Sequence, residues 1–213
     1  MNSQQAKING QIVNIQDGET ILQAAKRLGI EIPTLCYSEG MHPEGGCRMC
    51  LVEINQKSIP VGACHTLIQA GMEIQTHTPQ LEALRRDILS LYLDNGQAVF
   101  HSNGKETKFT ELLRDYQLTA ISPSNPAKVD DSHPYLSFNP DTCITCRLCL
   151  NACEQIQGQF VYSISERGPQ SSLIFGAGTS FADSPCVACG ACVDLCPTGA
   201  ISDRDRLNLT PAD

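Results

Sequence analysis

The first apolar positions along the chain fall in two short β-prone runs, Ala6 to Ile8 and Gln11 to Ile15, on either side of Asn9-Gly10. Asn-Gly is the strongest two-residue hairpin signal, because both of its residues tolerate positive φ. The periodicity then changes to that of a helix. Ile21, Leu22, Ala25 and Leu28 lie on one helical face, Thr20 and Gln23 have the spacing of a capping box, and Gly29 suits the position just past the end. Leu51 to Ile54 and Ser58 to Val61 read as strands joined at Asn55-Gln56-Lys57, with Pro60 confining the second to a sheet edge. Met72 to Thr76 reads as a further strand. Thr78-Pro79 opens a helix with proline at its first position, Leu81, Leu84, Ile88 and Leu91 recur at helical spacing, and Asn95-Gly96 ends it. Leu112 to Leu118 gives a second, short helix. Ser122-Pro123-Ser124-Asn125-Pro126 breaks structure, and residues 119–136 read as a connector. Phe160 to Ile164 and Ser172 to Phe175 form a last β-prone pair around Arg167-Gly168-Pro169. The pattern predicts an α+β chain.

Composition narrows the function classes. The 213 residues carry a net charge of −8, which argues against a nucleic-acid partner. No apolar run reaches the length of a membrane span, and no apolar N-terminal run marks a secretory signal. Arg85-Arg86 lies too far into the chain for a twin-arginine signal. A soluble, cytoplasmic protein is expected.

The 12 cysteines change the picture most. Two copies of one pattern stand near the C-terminus: Cys143-x2-Cys146-x2-Cys149-x3-Cys153, and Cys186-x2-Cys189-x2-Cys192-x3-Cys196 followed by Pro197. A cubane iron–sulfur cluster needs four converging thiolates. A tight loop with two-residue gaps supplies three, and in two-cluster ferredoxins the fourth cysteine of each run ligates the other cluster. That crossing predicts one [4Fe–4S] site from Cys143, Cys146, Cys149 and Cys196, and a second from Cys153, Cys186, Cys189 and Cys192. The remaining cysteines, Cys36, Cys47, Cys50 and Cys64, have a longer first gap than the plant-type spacing. Glycines at Gly40, Gly45 and Gly46 allow backbone N–H groups to approach sulfur. A hairpin, a helix, a cysteine-rich loop and returning strands fit a small β-grasp domain with one [2Fe–2S] cluster. A disulfide framework belongs to oxidising compartments, and structural zinc favours paired Cys-x2-Cys knuckles, so neither suits these runs. His42 and His65 flank cysteines and are expected beside the site, not as ligands.

The run Pro33-x-Leu35-Cys36 to Gly46-Cys47-Arg48-x-Cys50-Leu51-Val52-Glu53 resembles the N-terminal domain of a broad family. Its members include the large iron–sulfur subunit of respiratory complex I, diaphorase subunits of NAD-linked hydrogenases and molybdopterin formate dehydrogenases. The family follows its long helix with a His-x3-Cys-x2-Cys-x5-Cys cluster motif. Aligned on Asn95, this chain has Gly96 for the His and Phe100 and Asn103 for two of the cysteines, so that cluster is expected to be absent. His101, without a thiolate nearby, is not expected to replace it. Glu111-Leu112-Leu113 still resembles the family's continuation. Asp131-x-His133-Pro134-Tyr135, Ala152-Cys153-Glu154, Arg167-Gly168 and Ser184-Pro185-Cys186 resemble formate dehydrogenase regions in particular, with the hydrogenase diaphorases close behind.

The expected organisation is a [2Fe–2S] ferredoxin-like domain over residues 1–77, a helical connector with a lost cluster site over 78–136, and a bacterial-type 2×[4Fe–4S] ferredoxin domain over 137–213. The expected function is electron relay within a hetero-oligomer, between a flavin/NAD(P) diaphorase subunit and a catalytic subunit. On those resembling residues a formate dehydrogenase of molybdenum or tungsten type is the first candidate for that catalytic subunit; the chain, ending at Asp213, is expected to have no room for a molybdopterin domain of its own. The alternatives are the small subunit of an NAD(P)-linked hydrogenase, a free polyferredoxin carrier and, from another class, a zinc-dependent scaffold. No catalytic residue is expected. Phe175-Gly176-Ala177-Gly178 is a weak match to a nucleotide fingerprint. Ile156 stands where a radical-SAM motif would need its third cysteine.

Overall fold

The computed structural model describes residues 4–55, 59–94, 106–119 and 127–204. β1 (Gln5–Ile8) and β2 (Gln11–Asn14) pair antiparallel with Ala6 opposite Val13. Asn9 and Gly10 have φ of 50° and 80°, as a type I′ turn requires. α1 (Ile21–Arg27) starts at the expected capping box: Gln23 N–H donates to Thr20 Oγ1, and Thr20 N–H donates to Gln23 Oε1. Gly29, at φ 71°, follows its end.

β3 (Leu51–Ile54), β4 (Val61–Gly62) and β5 (Glu73–Gln75) complete a five-stranded sheet of order β2-β1-β5-β3-β4. β5 lies at its centre, parallel to β1 and antiparallel to β3. Ile8, Val52 and Ile74 from the sheet and Ile21, Ala24 and Ala25 from α1 share one buried core. A helix packed on a mixed sheet whose first and last strands are parallel neighbours is the β-grasp arrangement. Pro60 does restrict the edge strand, which is shorter than Ser58 to Val61: Ile59 is exposed, pairing begins at Val61, and Ser58 lies outside the described residues.

α2 (Pro79–Asp94) buries Leu81, Arg85, Leu89 and Leu93, so of the expected face only Leu81 is fully buried. Leu91 is exposed, and Leu84 and Ile88 are only half-buried. A charged side chain occupies an inward position, so the apolar pattern misplaced the stripe. α3 (Lys108–Asp115) begins four residues before the expected Leu112 and ends before Leu118. Thr107 and Thr110 form its capping box, with Thr110 in the place usually taken by Glu or Gln. Phe109 is buried, and its N–H donates to Pro197 O at 2.9 Å.

β6 (Leu136–Phe138) pairs antiparallel with β9 (Ile201–Asp203), and neither strand was expected from the sequence. Between them lie α4 (Leu148–Gln155), the hairpin β7–β8 (Tyr162–Ser165 and Ser172–Phe175) and α5 (Ala191–Leu195). The hairpin was expected from Phe160, which is instead exposed and precedes β7. Phe175 and Phe181 stack at 4.2 Å, with Tyr162 and Phe138 against Phe175. The chain divides into two compact units, Met1–Tyr37 with Pro43–Leu91 and Ser38–His42 with Tyr92–Asp213. Among the described residues no helix is long and apolar enough to cross a membrane.

Candidate iron–sulfur centres

All 12 cysteines are free thiols. Cys36, Cys47 and Cys50 lie on the loop between α1 and β3, and Cys64 follows β4. All four are buried. Cys47 N–H donates to Cys36 Sγ at 3.4 Å, and Arg48, at φ 58°, turns the chain between Cys47 and Cys50. The thiols pair. The Cys36 thiol donates to Cys47, which pushes Cys36 up and holds Cys47 down at about 6. The Cys64 thiol likewise donates to Cys50, which lies at about 7. Cys64 also feels the charges of Cys36 and Cys47, so the four form one electrostatic group.

Two other side chains serve this loop. His65 Nδ1 lies 3.4 Å from Cys64 Sγ, and its ring fills the space over Gly45 and Gly62. A Cβ on Gly62 would stand 2.4 Å from His65 Cε1, which explains a glycine in a strand. Arg85, wholly buried, was missed by sequence reasoning. Its Nε donates to Met49 O at 3.1 Å, and one terminal nitrogen donates to Leu51 O and Thr76 O, each at 2.8 Å. The other terminal nitrogen donates to Glu82 Oε1. Met49 and Leu51 flank Cys50, so the guanidinium fixes the backbone on both sides of that thiol. A charged residue at helical spacing with Leu81 and Leu89 was the only available signal. His42 is exposed and its N–H donates to Gln155 Oε1 at 3.3 Å.

The second unit holds two cysteine-lined cavities. Cys143, Cys146, Cys149 and Cys196 line one. Cys153, Cys186, Cys189 and Cys192 line the other. The loops repeat a backbone trick. Thr145 and Arg147 have φ of 49° and 66°, and their counterparts Ala188 and Gly190 have 54° and 82°. Left-handed residues after alternate steps curl each run around a centre and aim N–H groups at sulfur. Thr145 N–H donates to Cys143, Val161 N–H to Cys153 and Ala188 N–H to Cys186. Tyr162 Oη donates to Cys192 Sγ at 3.1 Å. Burial pushes Cys143 and Cys192 up to about 11 and raises Cys149 and Cys153. Cys149 feels Cys143, Cys146 and Cys196 and also Cys192, so the two groups are neighbours.

This donor set suits a polynuclear cluster. It is all sulfur, four thiols line each cavity, and their charges repel unless metal ions offset them. Gly96, Phe100, His101 and Asn103 lie outside the described residues. Phe175-Gly176-Ala177-Gly178 is a turn, with Gly176 N–H bonded to Val161 O.

Fold and thiols together define an iron–sulfur protein with a 2Fe-2S iron-sulfur cluster binding domain, matched over residues 4–79, followed by a 4Fe-4S dicluster domain, matched over 142–200. More particularly, the chain carries the iron–sulfur region shared by the large iron–sulfur subunit of complex I, NAD-reducing hydrogenase subunits and formate dehydrogenase-like proteins. An NADH-quinone oxidoreductase subunit of Rhizobium meliloti is 33% identical over 91% of this chain and 23% of its own length. A protein of Staphylococcus haemolyticus named as a formate dehydrogenase is 26% identical over 89% of this chain and 20% of its own. A chain in the crystal structure of an NAD+-reducing [NiFe]-hydrogenase superposes with a TM-score of 0.84 at 28% identity, covering 98% of this chain and 91% of that one. The chain thus spans about a quarter of the length of these curated relatives.

Proposed function

We propose that this chain is an electron-transfer subunit that passes electrons singly between a flavin/NAD(P) diaphorase subunit and a catalytic oxidoreductase subunit. The observation that carries it is the gathering of 12 free thiols into three groups of four. In this reading Cys36, Cys47, Cys50 and Cys64 hold a [2Fe–2S] cluster. Cys143, Cys146, Cys149 and Cys196 hold one [4Fe–4S] cluster, and Cys153, Cys186, Cys189 and Cys192 hold the other. The clusters supply one-electron chemistry; the protein sets their potentials through hydrogen bonds to sulfur, burial and charge. No residue of this chain is assigned a substrate-transforming step, and the complex is placed in the cytoplasm, where thiolates persist.

A formate dehydrogenase remains the first candidate for the catalytic partner on the residues that resemble it, and the Staphylococcus haemolyticus relative supports it. A hydrogenase is the second reading, favoured by the likeness of 98% of the chain to a chain of the NAD+-reducing hydrogenase. Native purification tests both. The relay predicts co-purifying large subunits and about ten iron atoms per chain. Molybdenum or tungsten with formate oxidation would select the first partner, and nickel with hydrogen oxidation the second. Replacing Cys149 by Ala should stop electron flow from NAD(P)H to the terminal site; unchanged flow would sink the relay. A chain purified alone, with no fixed partner, would instead mark a diffusing carrier.

A further inference from the structure

The β7–β8 hairpin is inserted between the two cysteine runs, and the hydrogen bonds at its start go to one thiol group, although Tyr162 also feels Cys149 of the other. Val161 N–H donates to Cys153, and Tyr162 Oη donates to Cys192 Sγ at 3.1 Å. Adjacent residues therefore reach two sulfurs of the same site. The tyrosine is held for this contact. Its side chain is buried, and its ring packs on Phe175 at 5.7 Å and Phe181 at 6.1 Å. The neighbouring group has a weaker counterpart. Thr198 Oγ1 stands 3.6 Å from Cys196 Sγ, where either atom could donate, and it also accepts from Ala200 N–H.

We propose that Tyr162 is a tuning residue that raises the reduction potential of the cluster bound by Cys153, Cys186, Cys189 and Cys192 above that of its neighbour. The inference rests on the cluster reading above. When such a cluster accepts one electron, its thiolates gain negative charge, and no bond forms or breaks. A hydroxyl aimed at one of them stabilises the reduced state more than the oxidised one, as hydrogen bonds to cluster sulfur do in general. Burial strengthens the effect, because water cannot compete for the sulfur. An electron shared between the two neighbouring clusters then resides on this one. Its group also contains Cys189, the most solvent-exposed of the 12 thiols, so the same cluster is the better placed to exchange electrons with a partner.

The test is a dye-mediated redox titration of the purified holoprotein followed by electron paramagnetic resonance, for wild type and Tyr162→Phe. Loss of the hydroxyl should move one [4Fe–4S] signal to lower potential. The expected change is up to tenfold in its reduced-to-oxidised ratio, equivalent to 59 mV for a one-electron couple. The other [4Fe–4S] signal and the [2Fe–2S] signal should stay in place. If the Phe variant loses iron, replacing tyrosine by 3-fluorotyrosine keeps the ring, strengthens the donor and should move the same signal upward. Both signals unmoved in the iron-replete protein overturns the inference alone. A wild type without [4Fe–4S] signals overturns the cluster reading and this inference with it.

Discussion

A guanidinium can be buried only if the N–H groups it takes out of water find acceptors. Arg85 finds Met49 O, Leu51 O and Thr76 O in the interior and Glu82 at its edge. It therefore does what an apolar side chain cannot: it donates to carbonyls on the Cys47–Cys50 loop, at the start of β3 and just past β5. Arg85→Met should leave those carbonyls unpaired and cost about 3 kcal/mol or more. Urea unfolding would measure the loss, and the [2Fe–2S] absorption should fade before that of the other clusters. Arg85→Lys keeps the charge but not the fork that spans three carbonyls, so it should recover only part of the stability. A variant as stable as wild type would remove the clamp from the account. Gly190 sets a smaller test. At φ 82°, in the lining of the Cys153, Cys186, Cys189 and Cys192 cavity, Gly190→Ala should cost at least its left-handed backbone strain, about 1 kcal/mol. Calorimetry of the variant would show a drop in Tm.

Elements differ in how openly the sequence announces them. The first hairpin and α1 were legible because turn residues, cap and apolar face all agree at Asn9-Gly10 and Thr20 to Gly29. The edge position of β4 was legible from Pro60. The crossed grouping of the two C-terminal cysteine runs was drawn from the two-cluster ferredoxin pattern, because spacing alone leaves open which run supplies each fourth thiolate. The face of α2 was not, because Arg85 is buried for its hydrogen bonds and not for its hydrophobicity. β6 and β9 were hidden by their length, three residues each, and exist by pairing with one another from either side of the two cysteine runs. The start of α3 was hidden because its capping box uses Thr110. That cap can be tested: Thr107→Ala removes the acceptor of Thr110 N–H and should destabilise α3 by about 1 kcal/mol. Hydrogen exchange should show it at Glu111 and its neighbours, with β1 to β5 unchanged. No sequence rule pointed from the inserted hairpin to Cys192, because Tyr162 reads simply as a core aromatic.

For the whole molecule, the two units should answer acid in sequence through two side chains outside the thiol groups, His133 in the second unit and Glu19 in the first, each with a lowered pKa. In the second unit burial holds the His133 imidazole below the ordinary range, with Arg204 also opposing its charge and Asp130 favouring it. Its Nδ1 accepts N–H bonds from both Tyr135 and Leu136, an arrangement that requires the neutral ring. In the first unit the Arg27 guanidinium grips Glu19 with Nε on Oε1 at 2.7 Å and a terminal nitrogen on Oε2 at 2.8 Å, and it holds that carboxyl below the usual 4.5. Both folded-state values lie under the unfolded ones, so in both windows the unfolded chain binds protons first and stability falls as pH falls. The His133 contribution is complete above about pH 6.5 and drains away below it. The Glu19 contribution persists until about 4.5 and drains below that. Hydrogen exchange on the holoprotein, corrected for intrinsic rates, should show protection at Leu136 and Phe181 weakening as pH falls below about 6.5 while Ile21 and Ile68 hold until about 4.5. His133→Gln should flatten the first stage and leave the second. Simultaneous loss in both units, or earlier loss around Glu19, would show that acid stability is set elsewhere, with the cluster thiolates the first place to look.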